Sequence, residues 1–257
     1  LKPNCAEYRK IFVLVGRNAS NIRAGSGMID RRVFMGALAA SVLARPAIAR
    51  NNADYAPWTD LLGRYLRAGN DGVMRVAYGA WKKQGREQLA GFIKSLEAVD
   101  VKSLSKAEQF AFWVNLYNAK TIDIVLEYYP VNSIRDIDLG GGFFANGPWS
   151  AKLVTVSGRA MSLDDIEHNT LRKSWREPRV HYAVNCASIG CPNLQKRAFE
   201  AGNLESLLNA GASQYINSKR GVRLSEDGVI ASKIYDWFGD DFGSSDDLYA
   251  HWLRYAD

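Results

Sequence analysis

The sequence predicts a single α+β domain in which a buried central helix packs on a small antiparallel sheet. Three observations carry that expectation. The run from Ser105 to Tyr129 is apolar around most of a helical circumference. Two short segments, 152–161 and 222–231, read as β-hairpins with polar or glycine turns between strand-forming residues. Helical and strand-like segments mix without the regular alternation that builds a parallel sheet.

Charge limits the partners. The 257 residues carry 33 Lys and Arg against 27 Asp and Glu, a formal charge of +6. Eight of those basic residues and two of the acidic ones fall within residues 1–49, which leaves 25 of each sign in the remainder. The body is neutral and lacks the basic footprint of a nucleic-acid binder. The expected ligand is a small molecule or peptide without strong charge.

The basic excess belongs to a leader. From Met28 the chain reads M-I-D-R-R-V-F-M-G-A-L-A-A-S-V-L-A-R-P-A-I-A. Arg31-Arg32, the apolar run from Val33 to Leu43 and the small-residue site Ala47-Ile48-Ala49 predict a twin-arginine-type signal peptide over 28–49. The apolar run is about half of the roughly 20 residues a membrane span needs, so no stable span is expected after cleavage. Residues 1–27 read as a spurious upstream extension, because the chain opens on Leu1 and the signal pattern begins at Met28. The expected product is one globular domain over 50–257, periplasmic or secreted.

In that domain, residues 54–68 space Trp58, Leu61, Leu62, Tyr65 and Leu66 as a helix that Gly69 stops. Residues 73–81 read as strand, and 86–98 as a helix burying Leu89, Phe92, Ile93 and Leu96. Ser105 and Glu108 form a capping-box signature, and Pro130 closes the long helix that follows. Asn115 and Asn118 are its polar exceptions, spaced to share a face. A buried amide must find partners or cost about 1–3 kcal/mol. Either the pair ties down a neighbouring loop or Asn118 supplies a donor to a site. Gly140-Gly141-Gly142 lacks the pattern of a phosphate cradle, and no cofactor motif is present. Ser157-Gly158 is the turn of the first hairpin, and Ser162 with Asp165 starts a helix carrying Glu167 and His168. A strand over 179–185 then leads into a loop holding Cys186 and Cys191. A helix over 204–216, the second hairpin and a final helix through Leu248, Trp252 and Leu253 complete the domain.

Three motifs resemble one family. F-W-V-N-L-Y-N-A at 112–119, S-L-D-D-I-E-H at 162–168 and H-Y-A-V-N-C-A-S-I-G-C-P at 181–192 are similar, in that order, to the domain of unknown function 547 family. S-K-I-Y-D-W-F-G-D-D-F at 232–242 resembles its closing motif, so the resemblance spans roughly residues 85–245. It implies no activity. A more distant resemblance to papain-like or transglutaminase-like thiol enzymes implies cysteine chemistry, with one departure. Those enzymes place the cysteine before the histidine and at the start of a core helix, whereas Cys186 follows a strand and both nearby histidines.

The candidate site therefore gathers Cys186, His168, Glu167, His181 and Asn118. A thiol nucleophile needs a histidine within hydrogen-bond reach and a group that orients it. On an extended strand His181 would lie about 16 Å from Cys186, with its side chain on the opposite face. His168 is then the expected base. Glu167 points about 100° away around a regular helix, which suits it to orient His181 or the loop backbone. Asn118 would donate to the oxyanion. The expected function is a thiol-dependent hydrolase or acyl transferase. A binding domain stapled by a Cys186–Cys191 disulfide is the alternative, favoured by an oxidising compartment. A zinc site of Cys186, Cys191, His168 and His181 is a third reading, and inert buried thiols a fourth.

Overall fold

The computed structural model describes residues 53–140, 147–226 and 228–257, together with the backbone strand Tyr8–Ile11. The expected signal at 28–49, Cys5, Gly141-Gly142 and Asp227 of the second turn lie outside the described residues.

The fold is α+β. In chain order the described elements are β1 (Tyr8–Ile11), α1 (Ala56–Tyr65), β2 (Leu66–Ala68), β3 (Met74–Val76), α2 (Tyr78–Gln84), α3 (Arg86–Glu97) and α4 (Lys106–Tyr128). β4 (Val154–Val156) and β5 (Arg159–Met161) follow, then a π-helical segment (Asp165–Arg172), α5 (Lys173–Trp175), α6 (Val180–Ala183) and α7 (Leu204–Ile216). β6 (Val222–Ser225), β7 (Gly228–Ser232), α8 (Ile234–Trp237), α9 (Gly239–Phe242) and α10 (Ser245–Tyr255) close the chain. The sheets are small and antiparallel: β1-β7-β6, β2-β3 and β4-β5. β1, within the expected upstream extension 1–27, adds a four-residue ladder to β7. Among the described residues no helix is long and apolar enough to cross a membrane.

α4 is the axis of the core, and its sequence explains both ends. Ser105 Oγ accepts from Glu108 N (3.3 Å), and Glu108 Oε2 accepts from Ser105 N (2.7 Å), so two otherwise orphaned donors are satisfied. At the other end Lys82 Nζ donates to the carbonyls of Glu127 (3.1 Å) and Tyr129 (2.6 Å). Between these caps Phe110, Phe112, Val114, Leu116, Tyr117 and Leu126 are almost fully buried. Each such side chain stabilises by about 1.5–3 kcal/mol on burial. α4 packs against α2, α3 and the π-helical segment. Trp58 stacks on Phe92 at 5.6 Å and ties α1 to α3.

Two elements depart from expectation. The strand expected over 73–81 stops at Val76, and Tyr78–Gln84 is helical with Trp81 buried. The strand expected over 179–185 is the single helical turn α6. There Val180, His181, Tyr182 and Ala183 are all buried. An apolar run buried on every side has no period, so it reports burial and not extension. Arg179 fixes the turn by forking between Glu177 Oε2 (2.6 Å) and Glu205 Oε2 (2.8 Å). The expected hairpin at 152–161 is present, and Ser157 (φ 50) and Gly158 (φ 77) take the paired positive φ values of a tight hairpin turn.

A second cluster packs Tyr182, Tyr215, Ile234, Tyr235, Phe242 and Trp252 beneath α7, α8 and α10. His251 joins it, with Nε2 3.1 Å from Tyr182 Oη. Burial pushes His251 down from 6.5 to about 4, with the nearby cations Arg179 and Arg254 adding to the effect. The unfolded chain therefore binds a proton there before the folded one does. Stability should be full above about pH 6.5 and fall by at most about 2–3 kcal/mol as the pH drops through about 4. Urea unfolding across that range should show the loss in the wild type and a flatter profile in His251→Phe.

Candidate functional site

The two amides of α4 place the loop that carries the cysteines. Asn118 Nδ2 donates to the Ala183 carbonyl (2.8 Å), and Asn118 Oδ1 accepts from Asn185 N (2.9 Å). The backbone on both sides of Val184 is thus clamped to the buried helix. One turn earlier, Asn115 makes the same two-point clamp on Phe199, donating to its carbonyl (2.7 Å) and accepting from its N–H (3.1 Å). The shared i, i+3 face holds two loops.

Beyond the clamp the chain turns back on itself. Ala187 N donates to Asn185 Oδ1 (2.8 Å) and Asn185 Nδ2 donates to the Pro192 carbonyl (2.7 Å), so one side chain spans the loop. Cys191 N donates to Ser188 O (3.0 Å). Arg220 donates to the carbonyls of Ile189 (3.2 Å) and Cys191 (2.6 Å), and Tyr215 Oη donates to that of Gly190 (2.8 Å). Ala187, beside Cys186, holds φ 60, a left-handed conformation that non-glycine residues adopt at some cost. The result brings Cys186 Sγ and Cys191 Sγ together, 2.6 Å apart. Cys191 is buried and Cys186 half-buried.

A second group of charges faces this loop. His181 Nε2 lies 2.7 Å from Asp241 Oδ2, and its ring stacks on Phe238 at 4.2 Å and 15°. Arg172 Nε donates to the same Asp241 oxygen, while the Arg172 guanidinium sits 4.7 Å over Phe238. Burial pushes the Asp241 carboxyl up, but the hydrogen bonds and charges of His181 and Arg172 outweigh it and hold it at about 2. Asp241 is therefore an anion at neutral pH and can only accept. His181 must carry its proton on Nε2, which leaves Nδ1 with the basic lone pair in the neutral ring.

His168 has different company. Arg172 NH1 lies 3.1 Å from His168 Nδ1, and since arginine only donates, that nitrogen accepts. Its Nε2 lies 3.7 Å from Asp164 Oδ1. Glu167 Oε2 accepts from Tyr117 Oη (2.8 Å). Burial, and then the negative charge of Glu167, push Tyr117 well above the ordinary phenol range, so it stays a donor. Glu167 and His168 stand on the π-helical segment, whose wider turn is a rare form often found at functional sites. Thr170 Oγ1 reaches back five residues to Asp165 O (2.9 Å).

A cavity of about 320 Å³ joins the cysteine loop to these groups. Cys186, Cys191, His181, Glu167 and Tyr117 line it, with Trp149, Trp237 and Phe238 supplying apolar wall and Arg135 a cation. Of the five expected residues, Cys186, His181 and Glu167 meet in this space. His168 and Asn118 are not among its lining residues. Asp241 and Arg172 come from outside the expected set. Asp241 lies inside the quoted 232–242 segment, but nothing in G-D-D-F tells it from Asp240. Among the described residues no group of three or more His, Cys, Asp or Glu is placed to hold a metal ion.

The cavity is built largely from one contiguous stretch. Residues 101–216 match the family described as "Protein of unknown function, DUF547". The DUF547 match takes in α4, the π-helical segment and the cysteine loop, and it ends with α7, before Phe238 and Asp241. No curated protein and no solved structure matches the chain.

Proposed function

We propose that this protein is an exported thiol-dependent hydrolase or acyl transferase in which Cys186 is the nucleophile, His181 the general base and Asp241 the group that orients it. The observation that carries the reading is the shared cavity: a half-buried thiol and a histidine tied to an anionic carboxylate open onto the same 320 Å³ space. In this scheme His181 Nδ1 takes the Cys186 proton, the sulfur attacks a carbonyl carbon, and the imidazolium returns the proton to the leaving group. Water or a second acceptor then releases the acyl group. Phe238 and Arg172 fix the ring plane and the carboxylate. Glu167, held by Tyr117, presents an acceptor to the substrate, while His168 buttresses Arg172. Asn118 acts through the backbone it clamps. The apolar walls suit an uncharged acyl group of a small molecule or peptide.

The test is hydrolysis of a panel of aryl esters and thioesters by reduced protein. Cys186→Ala should reduce turnover by about 10³-fold or more, and iodoacetamide should label Cys186 in the native state. Hydrolysis unchanged in Cys186→Ala would sink the mechanism. The export part rests on Arg31-Arg32 and Ala47-Ile48-Ala49, and N-terminal sequencing of exported protein should start near Arg50.

One observation favours a second reading, a binding domain stapled by a disulfide. The two sulfurs are already in contact. Protein purified without reductant would then resist alkylation at both cysteines until reduced.

A further inference from the structure

We propose that Cys186 and Cys191 form a peroxide-responsive pair in which Cys186 is oxidised first and Cys191 resolves it, closing the site reversibly. The inference rests on the reading of Cys186 as the reactive thiol. It makes the nucleophile and the staple two states of one site.

The two cysteines differ in the way such a pair requires. Cys191 is 3% exposed, whereas Cys186 is half-buried at the cavity. A peroxide entering the cavity reaches the more open sulfur first. The resolving thiol must then arrive before a second oxidant does. Here it has no distance to travel, because the sulfurs are 2.6 Å apart.

The loop holds that contact from outside the sulfurs. Asn185 bridges to Pro192, Arg220 grips the carbonyls of Ile189 and Cys191, and Tyr215 grips Gly190. None of these bonds uses a sulfur, so all survive when the S–S bond forms. Closing the ring therefore orders no new backbone, and little loop entropy is lost on oxidation. Reduction likewise leaves the frame in place.

The chemistry balances as follows. The Cys186 thiolate attacks one peroxide oxygen. The O–O bond breaks, giving Cys186 sulfenic acid and, with a proton, water. The Cys191 sulfur then attacks the Cys186 sulfur, and the S–O bond breaks. Hydroxide leaves with the Cys191 proton as a second water. Two electrons pass from the thiols to the peroxide, and the product is a disulfide. A small dithiol reverses it by exchange. While the disulfide stands, Cys186 has no thiolate to attack a carbonyl.

The experiment treats reduced full-length protein with limiting hydrogen peroxide in the presence of dimedone, which traps sulfenic acid. Alkylation and peptide mass mapping follow, with ester hydrolysis measured in parallel. The wild type should form a Cys186–Cys191 disulfide, lose hydrolysis and regain it with dithiothreitol. Cys191→Ser should instead carry at least about tenfold more dimedone on Cys186. Cys191→Ala provides the same comparison if the serine variant folds poorly. The proposal is overturned if wild-type Cys186 accumulates dimedone while Cys191 still alkylates, or if Cys191 is oxidised first. Hydrolysis that survives complete disulfide formation would refute Cys186 as the nucleophile and leave the pair standing. Hydrolysis lost in step with dimedone labelling of wild-type Cys186, while Cys191 still alkylates, would refute the pair and leave the nucleophile standing.

Discussion

Asp241→Asn should lower kcat for the best ester substrate by about 10²–10⁴-fold while leaving KM near the wild-type value. The carboxylate does two things for His181. It accepts the Nε2 proton at 2.7 Å, which keeps the lone pair on Nδ1, and in the proposed mechanism its charge would stabilise the imidazolium formed during attack. Asparagine can offer an oxygen to Arg172 or to His181, but it brings no charge. If its NH₂ group turns to His181, the ring proton moves to Nδ1 and the base is lost. The carboxyl is held at about 2, below its usual 3.8, so the ion pair contributes stability above about pH 4 that is lost as the pH falls through about 2. Between about pH 5 and 8 the difference between variant and wild type should therefore not vary through Asp241 itself. A variant that melts earlier but keeps the wild-type kcat would make Asp241 structural and His181 no base.

Much of the scaffold was legible because its signals are local. Ser105 and Glu108 stand three residues apart, and their hydrogen bonds need nothing else. Asn115 and Asn118 were legible as residues in need of partners, since an amide on an apolar helix cannot face water. Which backbone they hold is a tertiary fact. The site was harder to read because its key contacts cross long separations. His181 and Asp241 are 60 positions apart. The apolar run at 180–184 suggested a strand, and that one assignment moved His181 away from Cys186. It is a helical turn because Arg179 bonds to Glu177 and Glu205, and the second of these partners lies 26 residues on. The π-helical register at Asp165–Arg172 has no apolar period to announce it.

Asn118→Leu should destabilise the protein by about 2–6 kcal/mol, because it leaves the Ala183 carbonyl and the Asn185 N–H without their partner at about 1–3 kcal/mol each. Leucine fills a similar space, so the loss comes from the two unmet polar groups and not from a cavity. Asn115→Leu removes an equivalent clamp at Phe199 and should cost about the same stability. The two variants should part on activity. Asn118 holds the chain immediately before Cys186, and releasing it frees both the thiol and the turn that carries His181. A shift of about 1 Å at such a site can cost about 10²-fold in rate. Asn115 holds a loop that contributes nothing to the cavity lining, so its variant should turn over normally at temperatures where it remains folded. Urea unfolding and kcat measured on both variants separate the contributions. Equal loss of stability with a selective loss of kcat in Asn118→Leu means that the clamp sets the site. Equal kcat in the two variants would mean that the cysteine loop keeps its geometry through Arg220, Tyr215 and Asn185 alone.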